Sequence, residues 1–200
     1  MRASESSHGP YHASEVQSNA ITSHPNNRTR WAWIALGSNL GDRRTHLERA
    51  LTWLAALPHT RLSAASPFMV TAPVGPPQPD YLNAVARLET SLAPLELMDA
   101  LLVLERAAGR ERGCGEIRWG PRTLDLDLLF VAAHRGPTGQ RTVSHPRLEL
   151  PHPRVHLREF VLRPLSAIDP DLIHPTTGHT VRYHLAAVST PPPNPAGSFI

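Results

Sequence analysis

The sequence predicts an α+β fold, and three observations carry that prediction. Strand-length runs, apolar or alternating, occur at residues 31–36, 61–71, 81–89 and 123–131. Helical spacing of apolar residues occupies 43–57 and 94–108 between them. Glycine, proline and small polar residues separate the segments. The order β-α-β-β-α-β is that of a ferredoxin-like sandwich, with an antiparallel or mixed sheet, helices on one face and here a C-terminal helical addition.

Trp31-Ala-Trp-Ile-Ala-Leu36 is the first strand, ended by Gly37-Ser-Asn-Leu-Gly41. Asp42 is placed to cap a helix over 43–57, where Leu47, Ala50, Leu51 and Leu54 share a face and Pro58 stops it. Residues 61–71 form a second strand. Ala72-Pro-Val-Gly-Pro-Pro-Gln-Pro79 is a loop stiffened by four prolines. Tyr81–Glu89 alternates as a third strand, and 94–108 is a helix with Pro94 in its first turn. Residues 109–120 form a loop rich in glycine and arginine, and 123–131 is the fourth main strand. A hairpin-like connection around 136–139, a proline-broken stretch at 145–154 and short helices near 155–168 and 180–188 complete the chain.

Two hundred residues suit one domain with tails. Residues 1–30 are polar without an apolar period and residues 190–197 hold four prolines, so both ends are expected to be poorly ordered. The globular domain is expected over 31–188. The N-terminus lacks the apolar core of a secretory signal, and no apolar run is long enough to span a bilayer. A single cysteine, Cys114, excludes an internal disulfide and a multi-cysteine zinc site. A cytoplasmic setting is expected. All 20 basic residues are arginine. Without lysine there is no P-loop, no lysine nucleophile and no Schiff base, so a nucleotide would be handled by arginine, metal and backbone amides. The net charge of +3 is modest, compatible with anionic substrates and weak evidence for nucleic acid.

The most informative stretch is Arg118-Trp-Gly-Pro-Arg-Thr-Leu-Asp-Leu-Asp127. Strand faces alternate with period two, so Asp125 and Asp127 point the same way, their Cα atoms about 6.5 Å apart. Leu124, Leu126 and Leu128 point oppositely, into a core. Two carboxylates on one face are costly unless cations sit between them. Divalent ions supply that charge, and a two-metal clamp sets its ions about 3.5–4 Å apart. The neighbouring arginines suit phosphate oxygens.

Other segments are less specific. Arg106, Arg110, Arg112, Arg118 and Arg122 surround the glycine-rich loop, alongside Glu105, Glu111 and Glu116. A solvated, charge-paired face accounts for Arg106, whereas Arg110 and Arg112 stand where a lid over an anionic substrate would be. Gly37–Gly41 is read as a tight structural turn. Tyr81 and Asn83 share a strand face; an amide can pair with a flat heterocycle and an aromatic such as Phe160 can stack on it, though each residue taken alone is more often a packing or turn residue. Of the twelve histidines only His152, among arginines, is singled out, as either a phosphate contact or a loop hydrogen bond.

Together these motifs resemble the 6-hydroxymethyl-7,8-dihydropterin pyrophosphokinases of folate biosynthesis. The likeness covers residues 31–175 and rests on Ala35–Leu40, Pro79–Ala84, Arg118–Asp127 and Leu150-Pro-His152 with Arg158 and Phe160. It implies a ferredoxin-like monomer that transfers pyrophosphate from ATP to the pterin hydroxymethyl group and releases AMP. By resemblance, Asp125 and Asp127 hold two Mg²⁺ ions. Thr71, Ala72, Val74, Tyr81, Asn83, Trp119 and Phe160 match the pterin pocket. Glu105, Arg112, Arg118, Arg122, Arg147, His152 and Arg158 match the nucleotide side, and Arg110 and Arg122 match the arginines credited with assisting catalysis. Neither nucleic acid nor membrane is an expected partner.

The chain departs from the family's usual pattern at Ala72, where proline is common, and at Leu102, Glu149 and Pro153. Gly113-Cys-Gly115 reads as a short insertion in the lid loop. The rival readings are an RNA-binding module, which would need stacking aromatics where this chain has aspartates, and another Mg²⁺-dependent phosphotransferase, which Tyr81, Asn83 and Phe160 disfavour. The short tails argue against a fused second activity and leave association with neighbouring folate enzymes open.

Overall fold

The computed structural model describes residues 29–110, 120–133 and 138–189. Strand β1 (Arg30–Ser38) is followed by helix α1 (Arg43–Ala55), β2 (Thr60–Ala65), β3 (Met69–Thr71), β4 (Tyr81–Thr90), α2 (Pro94–Ala107) and β5 (Asp125–Ala132). A small hairpin, β6 (Val143–His145) and β7 (Leu148–Leu150), a 3-10 turn at Val155–Leu157, α3 (Glu159–Ile168) and α4 (Val181–Ser189) complete it. The main sheet is antiparallel at every described pairing, in the order β2-β4-β1-β5, with β3 added against β4. Among the described residues, no helix is long and apolar enough to cross a membrane.

Period-two alternation divides the sheet into two cores. Ala32, Ile34 and Leu36 of β1, Leu82, Ala84, Ala86 and Leu88 of β4 and Leu124, Leu126 and Leu128 face a cluster with Leu47, Ala50 and Leu54 of α1 and Leu97 and Leu101 of α2. On the other face Trp31, Trp33, Val85, Leu129 and Phe130 pack against Val161, Leu162 and Leu165 of α3 and Val181 of α4. The two core helices α1 and α2 therefore share one face, as expected, and the C-terminal addition, α3 and α4, packs on the other. The cavity opens beside these C-terminal helices on that same face.

A bulge makes the two-sided packing possible. Trp33 pairs with Phe130 and Ile34 with Leu128, so Leu129 is an extra residue in β5. Before the bulge Asp125 and Asp127 share the face opposite Leu124, Leu126 and Leu128, as alternation predicts. After it Leu129 and Phe130 turn toward α3.

The second predicted strand, 61–71, is two strands. Proline 67 has no N–H to give a ladder, and Ser66 takes over the pairing: its N–H donates to Val85 O at 2.9 Å and its hydroxyl accepts the Val85 N–H at 3.0 Å. The hairpin is β6–β7, turning at Pro146-Arg147 within the stretch expected to be proline-broken. Gly136 and Pro137 of the expected connection lie outside the described residues. Asp42 caps α1 as expected: Oδ1 accepts Thr45 N–H at 3.1 Å and Oδ2 accepts the Thr45 hydroxyl at 2.7 Å, bonds that hold the Asp42 pKa below its usual value.

Four imidazoles gather behind α3. His156, His174 and His184 form a triangle with ring centroids 5.2–5.6 Å apart, and His179 stands 5.9 Å from His184. Burial, then the neighbouring imidazoles, lowers the His174 pKa from 6.5 to about 4. The folded protein therefore binds fewer protons here than the unfolded chain between those values. Stability is fully present above pH 6.5 and falls as the pH drops toward 4, by at most about 1.4 kcal/mol per pH unit from His174. Thermal denaturation from pH 7 to 4.5 reads this out. A His174→Gln variant should flatten the slope, and an unchanged slope would assign it to other groups.

Candidate active site

The site forms where the ends of β4, β1 and the edge strand β5 meet the loops at one end of the sheet. Gly37 of β1 pairs with Asn83 on one side and Asp125 on the other. A Cβ at Gly37 would lie 3.1 Å from Asn83 Oδ1 and 3.9 Å from Asp125 Cβ. The missing side chain leaves a floor between amide and carboxylate, in a cavity of about 290 Å³.

One wall is neutral. Tyr81 and Asn83 lie on the same face of β4, as alternation predicts, and line the cavity with Thr71, Ala72, Val74 and Phe160. Asn83 Nδ2 donates to Thr71 Oγ1 at 2.8 Å, tying β4 to β3. The Tyr81 hydroxyl donates to Gly120 O at 3.3 Å; burial chiefly raises its pKa, so the phenol stays protonated. The Arg158 guanidinium lies 5.6 Å from the Phe160 ring centroid, a cation-π contact that keeps the ring at the cavity edge.

The other wall is charged. Arg122, Asp125, Asp127, His152 and Arg158 all line the cavity. Asp125 Oδ1 accepts from Arg122 Nη1 at 2.6 Å and from Arg110 Nη1. Asp127 Oδ2 faces Arg158 Nη1 at 3.4 Å and His152 Nε2 at 3.9 Å. His152 Nδ1 accepts the Arg154 N–H at 3.2 Å, which leaves the ring proton on Nε2, toward Asp127. Burial lowers the His152 pKa, with Arg158 and Arg154 adding to the fall and Asp127 opposing it. The ring is therefore neutral at physiological pH and presents an N–H donor to the cavity rather than a charge.

Behind Asp125 lies a pair that the residue pattern alone put on a solvated face and a lid, and that the family resemblance gave to the nucleotide side and to catalysis. Glu105 is fully buried and Arg110 is 8% exposed. Glu105 Oε1 accepts from Arg110 Nη1 at 2.5 Å and from Leu126 N–H at 2.8 Å, so one carboxylate holds both the guanidinium and the β5 backbone beside Asp125. Arg110, expected on a lid, is thus anchored inside. Its partner Glu105 continues the buried Leu97–Leu101 stripe at the next helical turn, the signal that separates it from a solvated face. Removing one member of a buried pair leaves an uncompensated charge, at a cost of about 3–5 kcal/mol. Glu105→Ala should lower unfolding stability by that order in urea titration, and a change below about 1 kcal/mol would contradict this account.

Arg147 sits on the β6–β7 turn paired with Asp99 of α2, outside the cavity lining. Arg112, Arg118 and Trp119 lie outside the described residues. The cavity also takes in Ala35, Gly37 and Arg154, which the sequence did not single out. Ala35 and Gly37 were detectable as the small residues of β1 on the Asp-bearing face. Arg154, in a proline-broken loop, had no periodic signal.

Among the described residues, no three histidine, cysteine, aspartate or glutamate side chains converge as a metal cage. Two carboxylates on a shared face are nevertheless what Mg²⁺ takes from a protein, since it keeps waters and substrate phosphate oxygens as its other ligands. The donor set fits that hard cation and would not suit zinc.

An antiparallel α+β scaffold bearing paired carboxylates, guanidinium groups and an amide-and-aromatic slot in one cavity is equipped for phosphoryl-group transfer. The model of the family 7,8-dihydro-6-hydroxymethylpterin-pyrophosphokinase (HPPK) matches residues 33–170. The 2-amino-4-hydroxy-6-hydroxymethyldihydropteridine pyrophosphokinase of Pseudomonas aeruginosa is 45% identical over 148 residues, covering 74% of this chain and 85% of that protein. The enzyme of the same name from Methylorubrum extorquens is 44% identical over 156 residues, covering 78% and 91%. Among solved structures, a Plasmodium falciparum HPPK-DHPS chain superposes with a TM-score of 0.61 at 12% identity, covering 82% of this chain and 44% of that one. That likeness concerns the fold, and this chain spans less than half of the Plasmodium chain. The chain belongs to the 7,8-dihydro-6-hydroxymethylpterin-pyrophosphokinase family and is an enzyme of the diphosphotransferase class.

Proposed function

We propose that this enzyme transfers pyrophosphate from ATP to the hydroxymethyl group of 6-hydroxymethyl-7,8-dihydropterin and releases AMP. The observation that carries the reading is the single cavity joining the Asn83-Tyr81-Phe160 slot to the Asp125-Asp127 pair. A pterin is flat with a polar edge, and an amide beside aromatic rings suits it. Thr71, Ala72, Val74 and Trp119 complete that side by resemblance.

The hydroxyl oxygen forms a bond to the β-phosphorus and gives up its proton to solvent, while the bond from that phosphorus to the α,β-bridging oxygen breaks and AMP departs with that oxygen. Little covalent work falls to the protein, so positioning and electrostatic stabilisation dominate. Asp125 and Asp127 would hold two Mg²⁺ ions. Bound there, the metal supplies positive charge to the phosphoryl oxygens and a template for the polyphosphate. Arg122 and Arg158 reach the same region and can donate to phosphate oxygens. His152 donates from Nε2, and Glu105 acts through Arg110, which it holds beside Asp125. Arg112, Arg118 and Arg147 are assigned to the nucleotide side by resemblance.

The strand order β2-β4-β1-β5, every pairing antiparallel, supports reading the fold as ferredoxin-like, with β3 and the C-terminal helices as additions. The family match over 33–170 supports one pyrophosphokinase domain over 31–188. A cytoplasmic monomer is the setting that the family resemblance implies. Equilibrium titration tests the two-substrate reading: the dihydropterin and a non-hydrolysable ATP analogue should bind together in the presence of Mg²⁺. Competition between them for one site would refute it.

A further inference from the structure

We propose that Asn39 is a positioning residue that ties the proline-rich loop on the neutral side of the cavity to Arg122 on the charged side. The inference rests on the function proposed above. Asn39 lies in the turn after β1 and is 2% exposed. Its Nδ2 donates to Gln78 Oε1 at 2.9 Å and to Pro79 O at 3.1 Å. Its Oδ1 accepts the Arg122 N–H at 2.7 Å, and its own N–H donates to Arg122 O at 3.0 Å.

Both amide hydrogens and the carbonyl are thus used, one end on each wall. The loop held by Nδ2 carries Ala72 and Val74 to the cavity. The backbone held by Oδ1 carries the Arg122 guanidinium, whose Nη1 lies 2.6 Å from Asp125 Oδ1. Only an amide has donors for the loop and an acceptor for Arg122 within one planar group of this size. A shift of the loop is therefore felt by Arg122, and a guanidinium that stabilises developing charge loses effect when displaced by a fraction of an ångström.

Two variants separate the two ends. Alanine removes both. Aspartate at pH 8 keeps an acceptor for the Arg122 N–H but cannot donate to Pro79 O. Asn39→Ala should lower kcat about tenfold and weaken dihydropterin binding about tenfold, the order expected when a buried hydrogen bond is lost. Asn39→Asp should weaken dihydropterin binding by a similar factor while keeping kcat within about threefold of the native enzyme. Hydrogen exchange of the Arg122 amide should be slow in the native enzyme and in Asn39→Asp, and faster in Asn39→Ala.

Equal kcat losses in both variants, or unchanged dihydropterin affinity in both, would overturn the proposal. If the alanine variant does not fold, the aspartate variant carries the test, since loss of kcat in step with affinity, or fast exchange at Arg122, would overturn it alone. The exchange readout needs no substrate. Native enzyme that fails to bind the dihydropterin while exchange follows the predicted pattern would overturn the proposed function and leave the tie between Asn39 and Arg122 standing. Exchange at Arg122 that is equal in all three proteins would refute the tie.

Discussion

Replacing Asp127 with alanine is expected to lower kcat by about three orders of magnitude while leaving the protein folded. The size follows from the proposed role: several kcal/mol of charge stabilisation at the phosphoryl oxygens would be lost with the metal that Asp127 is proposed to hold. The fold should tolerate the change because, among the described residues, Asp127 has one long ion pair, 3.4 Å to Arg158, and lies 3.9 Å from the neutral His152, with a side chain that is 37% exposed. Such pairs contribute about 1 kcal/mol or less. Asp125→Ala should cost as much activity and more stability, because Asp125 also partners Arg110, whose side chain is nearly buried. Mn²⁺ binding in the presence of an ATP analogue, followed by electron paramagnetic resonance, should weaken in both variants. Native-like turnover in either would end the assignment of this pair to metal.

The second large effect is at Arg122. Its guanidinium sits on Asp125 at the junction of the neutral and charged walls. In the proposed reaction, charge accumulates on phosphoryl oxygens near this group as Pβ passes from one oxygen to another. The interaction is therefore stronger in the transition state than with bound substrate. Arg122→Ala should lower kcat about a hundredfold, the order found when one preorganised donor is removed, while dihydropterin affinity changes less than about threefold. Steady-state kinetics paired with equilibrium binding distinguishes the outcomes. A rise in KM alone would make Arg122 a ground-state binding group.

Much of the site was legible because it is written in period two. Asp125 and Asp127 alternate with three leucines, and Tyr81 and Asn83 alternate with Leu82 and Ala84, so their shared faces follow from strand geometry alone. What was not legible depends on contacts between distant segments. The bulge at Leu129 adds a residue to an unbroken apolar run, and no local signal distinguishes Leu129 from Leu128. Glu105 was grouped with a solvated face on charge alone, although its register with Leu97 and Leu101 places it inside. Arg110 followed Glu105 into the interior because a buried carboxylate requires a cation. Asn39 was read as a turn residue, since its partners Gln78, Pro79 and Arg122 are 39 to 83 residues away.

The sharpest test of the account is a product assay. The protein is mixed with ATP, Mg²⁺ and 6-hydroxymethyl-7,8-dihydropterin, and AMP is resolved from ADP. The account predicts AMP that depends on the pterin, formed in equal amount with a pyrophosphorylated pterin. ADP as the nucleotide product, or AMP formed without the pterin, would contradict it.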